Sequence, residues 1–181
     1  MAACTRWKVF FPVLILCVSL LGMAVSVSGD AALIQDVCSK TTMPFYCKSC
    51  YKFYRQSSQE NVKDLGRTSI QCAFSVFDIF RSTLVSYMKG TKNLGPGFPN
   101  ASNRCLSMLT SADRNIKNAL ETWQQARYAS STEQMWAAVI LINDCEHELK
   151  MLSLIPKDLA DQVVAVDGFC RASGGVLNQI H

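Results

Sequence analysis

The chain has 181 residues, 49% of them hydrophobic and 18% charged, with Lys+Arg 18 against Asp+Glu 14. A net charge of +4 is too small for the basic stripe of a nucleic-acid-binding domain, and the apolar fraction is too high for a disordered chain. Only two histidines occur, which leaves little material for imidazole catalysis or metal binding.

At the start, Arg6 and Lys8 precede an apolar run from Val9 to Val27 that ends among the small residues Ser26, Ser28 and Gly29. This pattern predicts a secretory signal peptide over residues 1–29, cleaved after Gly29. The same run is long enough to anchor in a bilayer; Pro12 and the small-residue end favour cleavage. Removing 29 of 181 residues leaves 152, residues 30–181, with Lys+Arg 16 against Asp+Glu 14. That length suits one domain with a proper core. The expectation is an exported protein with no membrane attachment once the signal is gone.

Directly after the signal comes Cys38-Ser-Lys-Thr-Thr-Met-Pro-Phe-Tyr-Cys47. Pro44 cannot sit inside a helix and drives Met43 toward extended geometry, so Cys38 ends one short helix and Cys47 lies in the next. In an oxidising compartment the two cysteines read as a disulfide closing a helical hairpin. A loop this short stabilises by roughly 2–3 kcal/mol, acting mainly on the unfolded state. Cysteines follow at 50, 72, 105, 145 and 170, seven in all after residue 29. An odd number leaves a free thiol or an intermolecular bond. Cys47-Lys-Ser-Cys50 has no second pair at zinc-finger spacing, so neither zinc nor dithiol chemistry is expected.

From there on the pattern is helical. Ser57 or Ser58 can cap a helix opening near Glu60, and Leu65, Ser69, Cys72, Val76, Phe80, Leu84 and Tyr87 then share one face until Gly90. The stretch 94–102, with Pro96, Pro99 and two glycines, is the clearest break. It contains Asn100-Ala-Ser102, an N-glycosylation sequon that an exposed loop would leave open to modification or that could stay unmodified. The next helix aligns Cys105, Leu109, Ala112, Ile116, Ala119, Trp123 and Arg127, widened by Leu106 and Leu120. After Ala129-Ser-Ser-Thr132, with Glu133 as an acidic first turn, comes Met135, Ala138 or Val139, Ile142, Cys145, Leu149 and Leu152. Ile155-Pro156 breaks the chain, and Leu159, Val163, Val166, Cys170, Ser173, Leu177 and Ile180 mark the last helix. The fold class is therefore all-α: an antiparallel four-helix bundle preceded by a short disulfide-closed N-terminal helical hairpin.

Cys105 and Cys145 lie on the core stripes of successive helices, so a bond between them is expected. Their midpoint is residue 125, whereas the loop signal centres near residue 129. The mismatch corresponds to roughly 12 Å of helix, which would require the last turn before Arg127 to be unwound. Cys50 and Cys72 either form a third bridge or remain small buried thiols, and Cys170 falls on a core face.

No catalytic constellation emerges. His147, in Cys145-Glu-His-Glu-Leu149, has no second histidine four residues on. No nucleophile elbow, phosphate loop, dinucleotide fingerprint or paired carboxylate-histidine motif of a di-iron bundle occurs. The expectation is a binding protein, not an enzyme, without metal or cofactor. Lys63, Arg67, Arg114 and Lys117 lie off the apolar stripes, where charges ordinarily mark a solvated face.

The run Leu33-Ile-Gln-Asp-Val-Cys38-Ser-Lys-Thr41-Thr-Met-Pro44-Phe-Tyr-Cys47 resembles the opening motif of the plant invertase and pectin methylesterase inhibitor family. Cys105 and Cys145 resemble the family's third and fourth cysteines in spacing. Tyr128-Ala-Ser130 and Trp136-Ala-Ala-Val139 resemble its approach to the fourth, and Cys170 resembles its fifth, unpaired cysteine. The resemblance implies disulfides Cys38–Cys47 and Cys105–Cys145, a free thiol at Cys170, and a non-catalytic inhibitor secreted to the plant cell wall. It also implies the mechanism, a reversible stoichiometric complex covering the active-site cleft of a carbohydrate-active enzyme.

Departures from the pattern bear on which enzyme that is. Inhibitors of acid invertase share a Pro-Lys-Phe tripeptide in the loop before the fourth cysteine, whereas here that loop reads Gln125-Ala-Arg-Tyr-Ala-Ser-Ser-Thr132. Pro156-Lys157-Asp158 lies on the wrong side of Cys145 and lacks the Phe. Leu109 replaces a usual Tyr, Trp136 replaces a Ser, and Cys50 and Cys72 are additions. The preferred partner is accordingly pectin methylesterase, with acid invertase or a non-inhibitory wall-binding role as alternatives.

Overall fold

Six helices and no strand occur among the residues that the computed structural model describes, 31–53, 61–90 and 94–180. The expected signal peptide and the candidate caps Ser57 and Ser58 lie outside the described residues. The helices are α1 (31–39), α2 (Pro44–Phe53), α3 (Val62–Gly90), α4 (Phe98–Gln124), α5 (Tyr128–Lys150) and α6 (Lys157–Leu177). The last four close into a ring in which α3 meets α4 and α6, and α5 meets α4 and α6. The α1–α2 hairpin lies across α3 and α6 at one end of this bundle.

Local chemistry sets the ends of the long helices. The Asn61 side-chain oxygen accepts from the backbone N–H groups of Lys63 and Asp64 at 2.9 and 3.1 Å. That caps α3 directly before Val62, two residues after the opening read from the sequence. α4 starts at Phe98 with a proline in its first turn, where a missing N–H costs nothing. Asn100 therefore sits in the first turn of a helix and not in a loop, although its side chain is exposed. Pro156 is the residue before α6, and Lys157 opens it.

Two further features depart from the sequence reading, each for a physical reason. On α3 the fully buried residues include Ile70 and Ala73, while Val76 and Tyr87 are only half-buried. α3 packs against α4 and α6 and also carries the hairpin, so its apolar face is wider than a single stripe. The α4–α5 connection is the three-residue turn 125–127, and Ala129 to Thr132 belong to α5. The Ser131 hydroxyl donates to Ala119 O at 2.7 Å and that of Thr132 to Tyr128 O at 3.0 Å, so helix carbonyls satisfy groups that composition assigns to a loop. The turn centres on residue 126, which reduces the mismatch with the Cys105–Cys145 midpoint to a single residue. Arg127 is exposed in the turn instead of on the α4 stripe, and Glu133 lies beyond the first turn of α5.

The remaining stripes of α4, α5 and α6 meet in one continuous core. Leu109, Ala112, Ile116 and Ala119 face Met135, Ala138, Ile142 and Leu149, with Phe77 and Phe80 filling the space from α3 and Leu159, Val163 and Val166 from α6. Leu152 and Ile180 continue two of the stripes past the helix ends, the first half-buried and the second buried.

Candidate functional site

The surface that distinguishes this bundle from a bare four-helix protein is the hairpin and the end of the bundle it covers. Cys38, in the last turn of α1, is bonded to Cys47 in α2, with Cα atoms 5.5 Å apart. The Thr41 hydroxyl donates to Cys38 O at 2.9 Å, and the backbone N–H of Thr41 bonds the same oxygen at 3.2 Å. These bonds fold the segment back so that Pro44 can open α2. Val37, Cys38, Cys47 and Tyr51 then form a small second core with Leu65, Ala172 and Val176.

Close approach fixes the hairpin on α6. Tyr46 lies directly against Gly168, where a Cβ would stand 2.3 Å from a ring carbon, and makes an edge-on contact with Phe169 at 5.2 Å between centroids. Gly175 does the same for Thr41, whose Cβ would stand 3.0 Å from a Cβ there. Gln179 donates to Val37 O at 3.0 Å. On the α3 side the Tyr51 hydroxyl donates to Leu65 O at 2.9 Å, and burial pushes the phenol above its ordinary range. Cys50 is bonded to Cys72, with Cα atoms 5.9 Å apart, so a disulfide ties α2 to α3.

At the α4–α5 turn, Ala126 takes a positive φ of 58° and Arg127 N–H bonds Thr122 O at 2.9 Å. Tyr128 does not project outward: its ring packs edge-on against Trp123 at 4.7 Å, and Lys63 Nζ stands 5.2 Å from its centroid. Trp123 donates to Lys63 O at 3.1 Å, and its ring fills the place where Gly66 lacks a side chain. The turn is thereby pinned to the start of α3. Ala126 to Ser130, with Asn178 and Ile180, line an open hollow beside it.

The remaining expected site residues fall as follows. Cys105 and Cys145 are bonded across α4 and α5, with Cα atoms 4.4 Å apart. Cys170 is a free thiol, wholly buried, and burial pushes it well above the ordinary thiol value. His147 is exposed on α5, its neighbours engaged elsewhere: Glu146 pairs with Lys150, and Glu148 accepts from Arg104 Nε at 2.9 Å. Among the described residues no group of three or more His, Cys, Asp or Glu could hold a metal ion, and no helix is long and apolar enough to cross a membrane. Of the basic residues off the stripes, Lys63 covers Tyr128, Lys117 pairs with Asp113 at 2.8 Å, and Arg67 and Arg114 are exposed.

The sequence matches the model of the plant invertase/pectin methylesterase inhibitor family over residues 32–173. The chain belongs to that family. Among solved structures, this inhibitor-family chain is similar to mutant form A of a pectin methylesterase inhibitor from Arabidopsis, at 18% identity and a TM-score of 0.72, over 82% of this chain and 97% of that one. A pectin methylesterase inhibitor from Arabidopsis thaliana matches at 18% identity and a TM-score of 0.62, over 84% and 98%. At that identity the likeness is one of fold. A comparison with curated protein sequences finds no match. The family is one of inhibitors of invertase or pectin methylesterase.

The glycine seats were missed in the sequence. Gly66, Gly168 and Gly174 each lie inside a helix where a Cβ would strike an aromatic ring of another element, Trp123, Tyr46 and Trp136 respectively. Their signal was available: a glycine in a helix interior costs about 1 kcal/mol against alanine and calls for a packing reason. The pair Trp136 and Gly174 also explains how a large ring is housed where the resemblance leads one to expect a serine.

Proposed function

We propose that this chain is an exported proteinaceous inhibitor of pectin methylesterase, with residues 1–29 a cleaved signal peptide and residues 30–181 the inhibitor domain. It acts in the plant cell wall by forming a one-to-one complex that covers the active-site cleft, with no chemistry of its own. The observation that carries this choice of target is the α4–α5 turn, Gln125-Ala126-Arg127. It is three residues long and lacks the Pro-Lys-Phe that marks inhibitors of acid invertase, and the nearest aromatic, Tyr128, is packed inward on Trp123. Nothing in this turn supplies a probe for an invertase active site, which leaves the helical faces as the docking surface.

The test is a titration of the full chain, expressed through a eukaryotic secretory pathway and purified oxidised from the medium, against a plant pectin methylesterase and an acid invertase in parallel. Saturable loss of esterase activity at one equivalent, with invertase unaffected, is the expected result. Loss of invertase activity alone would show that the tripeptide is dispensable and the target assignment wrong. One observation favours a second reading, a wall-binding protein that has lost inhibition. The Cys50–Cys72 bond is an addition to the family pattern and alters the α2–α3 face. Inhibition of neither enzyme by the intact protein would select it.

A further inference from the structure

Ser102 carries a hydroxyl that the fold does not use. The residue is completely buried, and its Oγ has no hydrogen-bond partner. An unsatisfied buried hydroxyl costs about 1–3 kcal/mol, and alanine would fill nearly the same volume without that cost. Other hydroxyls on the bundle helices are satisfied by carbonyls of the preceding turn, as at Ser75, Thr83, Ser86 and Thr110. What Ser102 does supply is the third position of Asn100-Ala101-Ser102, where the hydroxyl is obligatory for N-glycosylation and Ala101 is an allowed middle residue. Asn100 itself is exposed.

The helix register shows what lies beside Asn100. Cys105 is bonded to Cys145, and Arg104 reaches Glu148. Asn100 is four residues before Arg104 and Met151 three after Glu148, so both continue the same rim of the α4–α5 interface toward the same end. At that end a Cβ on Gly97 would stand 3.3 Å from Leu152 Cδ2, which seats the start of α4 against the turn that follows α5. That turn is apolar and uncovered: Met151 is 74% and Leu154 62% exposed, among the largest values for hydrophobic side chains in the described residues. Adjacent exposed apolar side chains of this size ordinarily mark a covered surface.

We propose that Asn100 bears an N-linked glycan whose first N-acetylglucosamine covers the apolar Met151–Leu154 turn. The modification rests on the export proposed above, because the donor is a lipid-diphosphate-linked oligosaccharide of the secretory pathway. The Asn100 amide nitrogen bonds to C1 of the sugar, the C1–oxygen bond to the diphosphate breaks, and the amide loses one proton. Transfer takes place on the chain as it enters the compartment, before folding buries Ser102. The acetamido methyl and the C–H face of the sugar lie on Met151 and Leu154, and its hydroxyls face water.

The experiment expresses the full chain, Asn100→Gln and Ser102→Ala in a eukaryotic host restricted to oligomannose glycans. The peptide containing Asn100 is read by mass spectrometry. The exported parent carries the glycan mass and both variants lose it, while Ser102→Ala is at least as heat-stable as Asn100→Gln. Exported parent without the glycan overturns the proposal, and so does a Ser102→Ala chain clearly less stable than Asn100→Gln, which would give the hydroxyl a structural role. A chain retained in the cytosol overturns export itself, and this proposal with it. The seat is tested by trimming. Endoglycosidase H, which leaves one N-acetylglucosamine, keeps the fluorescence of a hydrophobic dye unchanged, whereas complete removal raises it about twofold or more. The Met151→Ser/Leu154→Ser chain loses that rise. Equal fluorescence after trimming and complete removal places the sugar elsewhere.

Discussion

The two halves of the molecule hold together by different means. α4 and α5 are joined by a three-residue turn and share the most extensive contact among the described helices, with apolar residues at nearly every turn and one disulfide toward the end far from that turn. The α1–α2 hairpin contributes far fewer buried side chains; Cys38–Cys47 closes it, and its place on the bundle depends on the Cys50–Cys72 bond, the seat of Tyr46 over Gly168 and the hydrogen bond from Tyr51. A long amphipathic helix recovers its ordering entropy from burial alone, whereas helices of nine or ten residues do not. Cross-links and glycine-to-ring contacts replace area where area is scarce. The hairpin is thus positioned covalently and the bundle by packing.

That contrast can be broken most severely at Phe77, which is wholly buried where α3 meets the rest of the bundle core. Phe77→Ala is expected to cost about 3–5 kcal/mol in global stability, read by denaturant unfolding, because the cavity lies where all the long helices converge. Replacing Cys38 and Cys47 together by Ser should cost about 2–3 kcal/mol. Hydrogen exchange would place that loss in residues 31–53 while α4 and α5 stay protected; uniform loss along the chain would show that the halves are not separable. Gly168→Ala should cost about 1–3 kcal/mol by driving a methyl into the Tyr46 ring. Tyr46→Ala in the same chain should recover part of it, and a double-mutant cycle without coupling would contradict the seat.

The smallest effect belongs to Arg104→Gln on the bundle side. The hydrogen bond from Arg104 holds the Glu148 carboxyl below its ordinary value, so the pair stabilises the fold above the ordinary carboxylate range and ceases to do so as pH falls through the folded value. The variant should therefore unfold slightly below the parent at neutral pH and approach it in acid, on the small scale of exposed ion pairs. Thermal melts at the two pH values measure it.

The bundle was far more legible in the sequence than the seating of its parts. Leu109, Ala112, Ile116, Ala119 and Trp123 announce their face because only one direction on α4 is buried, and all five are buried. Ile70 and Ala73, both wholly buried, escaped because α3 faces several neighbours and no single stripe describes it. Ala129 to Thr132 read as loop because hydroxyl side chains favour turns, yet here Ala119 O and Tyr128 O absorb them. Gly168 inside a helical pattern calls for a packing reason, but Tyr46 lies far from it in the chain, and nothing local in either segment records which ring will rest there. Target contacts were the least legible: an exposed Arg67 or Arg114 looks the same whether it meets solvent or an enzyme.

The burial of Cys170 has a bearing on how the protein would keep its disulfides in the oxidising compartment proposed for it. Thiolates, not thiols, attack disulfides. An unpaired cysteine on the surface would, over days in an oxidising wall, exchange with Cys38–Cys47 or Cys50–Cys72 or couple two molecules together. Enclosed on α6 and kept protonated by its apolar surroundings, the odd sulfur can do neither while the bundle stays folded. The hairpin's covalent registration therefore lasts as long as the packing of the core, so the half held by cross-links owes its persistence to the half held by burial.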